Sequence, residues 1–241
     1  MRDGVECIVV AGGDGTINRV ASQLAGTDIP LGIIPVGTVN VLAREFGIPL
    51  DATEALGVVL QGQTRRIDLG VANGQPFLLM AGMGFDAKVV SEVVPSIKEL
   101  FGSFAYVTAG LQTLANYKPS LFHLRVDGVD VHLPAWLVIV GNASSYAYQF
   151  AMTPGARMDD GVLDVLLFAE RTALDRLTQI GAAMFGQHMH HPNVSYLRAR
   201  HLRVEADPSV YLQLDGDTAG VSPVDIHVLP GALSLIVPGE G

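Results

Sequence analysis

Residues Glu6–Leu24 read ECIVVAGGDGTINRVASQL, and the fold follows from how this stretch is parsed. Ile8, Val9, Val10 and Ala11 form an unbroken apolar run, the pattern of a strand buried on both faces of a parallel sheet. Gly12, Gly13 and Gly15 then strip the turn of every side chain but that of Asp14. Its backbone can take positive φ, and its N–H groups can approach a ligand closely. From Thr16 a helix is expected, with Ile17, Val20, Ala21 and Leu24 forming one apolar stripe. Strand, glycine turn and helix bring the positive end of a helix to the carboxyl edge of a sheet, a place suited to a phosphate. Asp14 is the exception, because a carboxylate in the turn repels a bare phosphate. It becomes favourable when a divalent cation or a hydroxyl donor lies between. Two readings therefore stand: a site for a metal–nucleotide or a phosphate-accepting hydroxyl, or a tight βα turn with Asp14 as helix N-cap. A P-loop is excluded, since no Gly-Lys-Ser/Thr follows the glycines. A dinucleotide fingerprint is met only in part, because Asn18 stands where its third glycine belongs.

A second unit of the same kind follows. Leu31 to Ile34 reads as strand, Pro35-Val36-Gly37-Thr38 as turn, and Val39 to Phe46 as helix, with Gly47 and Pro49 ending it. Two successive βα turns open on the same sheet edge, so Thr38 can offer its hydroxyl and N–H toward the site made by Gly12 to Thr16. A third helix starts from Asp51 as N-cap, with Glu54 placed for a capping box, and runs to about Leu60 before Gly62. Beyond Arg65 the character changes. Asn73-Gly74 is a hairpin signal between Ile67–Ala72 and Phe77–Met80. Asp127-Gly128, Asp160-Gly161, Asp215-Gly216 and Pro230-Gly231 punctuate further short strands, clearest at Leu121–Val126, Ala135–Val140, Val162–Phe168, Val210–Leu214 and Ala232–Val237. Strands at this spacing indicate a β-sandwich or open barrel. Helices are expected at about Lys88 to Val94, Phe104 to Asn116 and Ala173 to Phe185, the last behind Thr172. The expected organisation is an α/β domain over residues 1–69 and a β-rich domain over 70–241.

The 241 residues are 49% hydrophobic and 16% charged, enough for a sizeable core and incompatible with general disorder. The formal net charge of -9 leaves no basic stripe for nucleic acid and gives no electrostatic pull toward anionic lipid. The single Cys7 excludes an internal disulfide and fits a reducing compartment; in a strand it reads as a small core side chain. No apolar run reaches membrane-spanning length, so a cytoplasmic protein with at most peripheral membrane contact is expected. His188, His190 and His191 match no tetrahedral ligand set and read as a solvated loop. Asn142, Ser144 and Ser145 read as polar caps at a strand end, with no base to make a nucleophile of either serine.

The stretch from Ile8 to Asn18, together with Pro30–Pro49 (PLGIIPVGTVNVLAREFGIP), resembles the catalytic domain of the diacylglycerol kinase family, which includes bacterial lipid kinases, sphingosine kinases and ceramide kinases. The later segments IDLG (67–70), AGMGFDA (81–87), GNASS (141–145), MDDGVLD (158–164) and QLDGD (213–217) agree in order. The glycine motif alone is shared with NAD kinases and phosphofructokinases; GTVN and LDGD point to the lipid-kinase branch. The resemblance implies a partial Rossmann-like α/β domain followed by a β-sandwich-like domain. It implies ATP and Mg2+ as the phosphate donor pair, and a lipid acceptor such as diacylglycerol met at a membrane surface, hence a place in phospholipid metabolism. Gly12, Gly13, Asp14, Gly15, Thr16, Ile17, Asn18 and Thr38 match the nucleotide-phosphate loops. Asp14 matches the acid near the transferring phosphate and its metal–water network, and Asp217 the general base. Asp160, with the carbonyls of Arg157 and Val162, matches a magnesium site in the β-rich domain. Similar proteins bind the lipid in a cleft between the domains.

Three positions depart from the family pattern. Met1 falls just before the glycine strand, where members carry further βα units, so an incomplete nucleotide pocket and an exposed sheet edge are expected, with edge pairing into a homodimer as a consequence. Val41 stands where many members have Asp. Asp217 replaces a Glu and is one methylene shorter, and a misplacement of about 1 Å costs about 10²-fold in rate. The alternatives are a kinase of the NAD kinase type and a non-catalytic lipid- or nucleotide-binding relative.

Overall fold

Strands β1 (Ile8–Gly12) and β2 (Leu31–Pro35) run parallel, paired from Ile8↔Leu31 to Gly12↔Pro35. A parallel pair needs a crossover, and helix α1 (Asp14–Leu24) supplies it. The computed structural model describes residues 4–85, 117–145, 151–170 and 172–239. The helices expected at Lys88–Val94 and Phe104–Asn116, and the last two residues of the AGMGFDA segment, lie outside them.

The described residues fall into two compact units. The first draws on Met1–Met80, Gly141–Leu163 and Val228–Gly241, the second on Ala81–Val140 and Asp164–His227. In the first unit, α1 is followed after β2 by α2 (Val41–Glu45) and α3 (Ala52–Gln61), then by the hairpin of β3 (Gln63–Ala72) and β4 (Gln75–Phe77). The apolar stripe of α1 is buried as its spacing dictates: Ile17, Ala21 and Leu24 pack with Leu31 and Ile33 of β2, Leu42 of α2 and Leu69 of β3. Asp51 caps α3, its carboxylate accepting from the amides of Thr53 and Glu54 at 2.9 and 3.0 Å.

The second unit holds most of β5 (Met80–Gly84), β6 (Ser120–Val126), β7 (Val129–Gly141), β8 (Leu163–Ala169), β9 (Val194–Ala199), β10 (His201–Asp207), β11 (Tyr211–Leu214), β12 (Asp217–Val221) and the first part of β13 (Val224–Val237). Its strands run in the order β13-β10-β6-β7-β5-β11-β12, with β8 also on β7 and β9 on β8. β6 alternates as a half-buried strand must: Phe122, Leu124 and Val126 turn inward, Leu121 and Arg125 outward. Helix α4 (Ala173–Met184) starts from the capping box of Thr172 and Asp175. The fold class is thus α/β in the first part of the chain and β-rich after it.

Several sequence expectations are corrected. β1 is not buried on both faces: Val9 is 43% exposed and Ala11 is exposed while Val10 is buried, so only one face of the strand is covered. Cys7 precedes the strand and is exposed rather than a core side chain. The second helix begins only at Val41, since Asn40 takes a left-handed conformation (φ 53, ψ 56) that no α-helix continues through. Pro230-Gly231 separates no strands; β13 runs through it, with Gly231 at φ +57 as a local kink. His188 is not in a solvated loop: it is buried in a short 3-10 helix (His188–His190) and stacks on Phe168 at 6.2 Å.

Candidate active site

The first glycine turn is built by close approach, not by unusual φ. None of Gly12, Gly13 or Gly15 has positive φ. A Cβ on Gly12 would lie 2.7 Å from Cβ of Thr16, and one on Gly37 would lie 2.4 Å from Cα of Gly13. The two βα turns therefore touch backbone to backbone, which only glycine at both positions permits. Gly13 is the N-cap of α1 and Asp14 its first residue, so Asp14 is not the cap the bland reading supposed.

Asp14 instead caps the neighbouring helix. Its Oδ1 accepts from the Val41 amide at 2.7 Å, joining the glycine turn to the start of α2. Asn40 closes the second turn on itself: its Oδ1 accepts from the Gly37 amide at 2.9 Å and its Nδ2 donates to the Gly37 carbonyl at 2.8 Å. The departure at Val41 thus lands on a buried residue whose main chain, not side chain, meets Asp14. At the far end of α2, Glu45 accepts from the amide and hydroxyl of Ser144 at 3.3 and 2.9 Å, which fixes the GNASS segment beside it.

The matched phosphate-loop residues divide in two. Gly15, Thr16 and Thr38 are exposed, and the first amides of a helix have no intrahelical acceptor. Ile17 is a core residue, fully buried, and its amide joins that of Thr16 in donating to the Gly13 carbonyl at 3.0 Å. Asn18 accepts from the Ser22 hydroxyl at 2.8 Å through its carbonyl.

The turn expected to hold magnesium lies in the first unit. Asp160 Oδ1 accepts from the Val162 amide at 3.3 Å. One carboxylate and two carbonyls are an all-oxygen set, the chemistry a hard cation takes. Among the described residues no group of three or more His, Cys, Asp or Glu side chains could hold a metal, so magnesium here would depend on backbone oxygen and water.

Sequence reading missed the residue that shapes this turn. Asp68, 2% exposed in the apolar run of β3, accepts from the Gly161 amide through Oδ2 and the Gly231 amide through Oδ1, both at 2.7 Å. Its own amide donates to the Met158 carbonyl at 2.6 Å, and its carbonyl accepts from Asn142 Nδ2 at 2.9 Å. The one available signal was an acid in the middle of a buried strand. Beside it, Asp159 pairs with Arg65 and, at 3.3 Å, with Arg157. The Arg65 hydrogen bond chiefly holds the Asp159 carboxyl below the usual carboxylate range, with burial opposing. The stability this contributes is complete above the pKa of an unfolded aspartate and is lost as pH falls through the lower folded value. Arg65→Ala should therefore raise the Asp159 titration midpoint, followed by carboxyl carbon shifts against pH. An unmoved midpoint would mean that Arg65 does not hold the charge.

In the second unit, Asp217 opens β12 immediately after a two-residue turn, Asp215 (φ 48) and Gly216 (φ 89), whose Gly216 amide donates to Gln213 Oε1 at 2.7 Å. This is the twist-matched hairpin turn that Asp-Gly favours. Asp217 is exposed at its end, while Gln213 and Leu214 are buried and pair with Gly82 and Ala81 of β5.

Comparison with known proteins agrees with this architecture. Residues 1–72 match the diacylglycerol kinase catalytic domain, and residues 80–237 the YegS C-terminal NAD kinase beta sandwich-like domain. The chain is 31% identical to a diacylglycerol kinase of Bacillus subtilis (98% of this chain, 78% of that one). It is 35% identical to one of Mycobacterium tuberculosis (99% and 79%). It is 32% identical to an uncharacterised Synechocystis protein, of whose length it spans only 56%. A candidate diacylglycerol kinase from Bacillus anthracis superposes with a TM-score of 0.77 at 27% identity, over 96% of this chain and 76% of that one. An NAD kinase from Archaeoglobus fulgidus, solved with ATP, shares the fold at a TM-score of 0.52 and 17% identity. With both domain families matched in order and a third of positions identical to named members, this chain belongs to the bacterial diacylglycerol kinase-like family.

Proposed function

We propose that this chain is an ATP-dependent lipid kinase that transfers the γ-phosphate of Mg-ATP to a lipid hydroxyl such as that of diacylglycerol. The observation that carries the reading is the junction of the two glycine turns: Gly13 packed on Gly37, and Asp14 bonded to the Val41 amide. Gly15, Thr16 and Thr38 on these two turns are exposed. Phosphoryl transfer asks mainly for such a cradle, charge neutralisation and a placed nucleophile.

The amides of Asp14 and Gly15 and the hydroxyls of Thr16 and Thr38 bind phosphate oxygens. Asp14 uses Oδ1 on Val41, and among the described residues its Oδ2 has no partner. Asp14 through Oδ2 would face a magnesium ion, which would neutralise phosphate charge, while Asp160 with the carbonyls of Arg157 and Val162 would hold a separate magnesium ion in its own turn. Asp217 takes the proton from the acceptor hydroxyl. No helix among the described residues is long and apolar enough to cross a membrane.

The test is ATP-dependent labelling of diacylglycerol in mixed micelles with magnesium, run beside an NAD arm. Label in the lipid is the expected result. Label in NAD instead, or ATP bound with no transfer to either acceptor, would sink the lipid-kinase reading.

A further inference from the structure

The second unit contains a cavity of about 290 Å³, lined by Gly84, Tyr117, Lys118, Ser120 and the 208–211 segment that leads into β11. Two of its polar groups are unspent. Lys118 is exposed, and among the described residues its ammonium has no acidic partner and it is the one lysine, in a chain with net charge -9. Ser120 is 3% exposed as a residue, and its hydroxyl lies on the cavity wall with no hydrogen bond to another described residue. A hydroxyl and an ammonium on one cavity wall are matched by a group that offers both an acceptor oxygen and a negative charge.

The walls are fixed rather than fluid. The Tyr117 carbonyl accepts from Arg176 at 3.0 Å, and the guanidinium lies 5.8 Å over the Tyr117 ring. Arg176 is itself held by a buried, bidentate pair with Glu170 at 2.6 and 2.9 Å. Burial, against the nearby Arg176 charge, pushes the Tyr117 phenol up to about 12, so it stays a neutral hydroxyl. Gly84 at φ +98 completes the site. A Cβ there would lie 2.6 Å from the Trp136 carbonyl oxygen and 3.1 Å from the Tyr117 hydroxyl.

We propose that this cavity binds an anionic oxygen group of the phosphate-monoester class, between the Lys118 ammonium and the Ser120 hydroxyl, with Tyr117 and Tyr211 as walls. A charge-assisted bond from Lys118 and a neutral one from Ser120 suit a tetrahedral oxyanion. Ligand pockets usually span about 300–1,000 Å³, so this one takes a headgroup and not a whole diacyl lipid. The same chemistry is offered by free phosphate and by the phosphorylated head of a lipid. None of the residues given a role in phosphoryl transfer lines the cavity, so the proposal stands apart from the kinase reading.

Trp136 is the chain's single tryptophan. Its ring lies 5.6 Å from that of Phe85, which in turn lies 5.6 Å from the Tyr117 ring. Its emission therefore reports on the cavity wall. The full chain is titrated with inorganic phosphate, with short-chain phosphatidic acid below its micellar concentration and with the matching diacylglycerol; equilibrium dialysis is run in parallel. Saturable binding of phosphatidic acid, of phosphate, or of both is expected. Lys118→Ala should weaken it about tenfold or more and Ser120→Ala about threefold, with Lys118→Arg close to the native chain. Phosphate binding as tightly as phosphatidic acid identifies a free anion as the ligand, and phosphatidic acid alone identifies a lipid headgroup. No saturable binding by either method, affinity unchanged in Lys118→Ala, or diacylglycerol binding as tightly as phosphatidic acid would each overturn the proposal. None of these readouts needs turnover, so failure here and failure of the kinase assay are distinguishable.

Discussion

Asp14→Asn should leave the fold intact and lower lipid phosphorylation by about 10²-fold or more, whereas Asp14→Ala should lose stability as well. The difference follows from the two jobs of one carboxylate. Oδ1 accepts from the Val41 amide at 2.7 Å, and an asparagine carbonyl can accept the same bond. The charge has no such replacement: an amide neither attracts a divalent cation nor balances the donors around a transferring phosphate. Alanine removes both. It leaves the Val41 amide, in a residue only 4% exposed, without its acceptor at the head of a five-residue helix. Loss of a helix cap costs about 0.5–2 kcal/mol, and a helix this short has little else to hold it. Turnover in the mixed-micelle assay and the urea midpoint are measured on both variants. Native turnover in Asp14→Asn would reduce Asp14 to a structural cap and remove the strongest support for phosphoryl transfer at this turn.

Much of this was legible because local chemistry decided it. Asn73-Gly74, Asp127-Gly128 and Asp215-Gly216 each place two successive residues at positive φ, and few sequences other than Asn-Gly or Asp-Gly tolerate that. Thr172 and Asp51 likewise announce helix starts as capping residues. What stayed hidden depended on segments far apart in sequence. Nothing in GGDGT tells that Asp14 would reach across to residue 41, or that Gly13 needs its missing Cβ because Gly37 packs there. Pro230-Gly231 read as a turn because those residues usually make one. Here the kink at Gly231 turns its amide to a carboxylate 163 positions away. Of the candidate site, the two successive glycine turns were readable from their strand–glycine–helix pattern. The division of Asp14 between cap and charge, and the place of Asp68, were not.

Asp68 is where the largest loss of stability is expected. The first unit is assembled from three separate stretches of chain, and this one buried carboxylate binds an amide from each of the two that return, Gly161 and Gly231, at 2.7 Å. Both glycines have positive φ (72 and 57), so their amides are held in turns that cannot easily swing to find other partners. Asp68→Asn keeps one acceptor and presents an NH2 to the second amide, donor against donor. Leaving one buried N–H unmatched costs about 1–3 kcal/mol. Asp68→Ala leaves both unmatched, at about 1–3 kcal/mol for each amide, and opens a void under the 157–162 turn. A typical domain has only about 5–15 kcal/mol to lose, so the alanine variant should unfold at far lower urea concentration, with asparagine between. Hydrogen exchange at the Gly161 and Gly231 amides separates this account from a general core defect. In Asp68→Asn one of the two should exchange much faster while the amides of α1 stay protected. Equal urea midpoints for all three proteins, or uniform loss of protection, would show that the returning segments are held by apolar packing and not by this carboxylate.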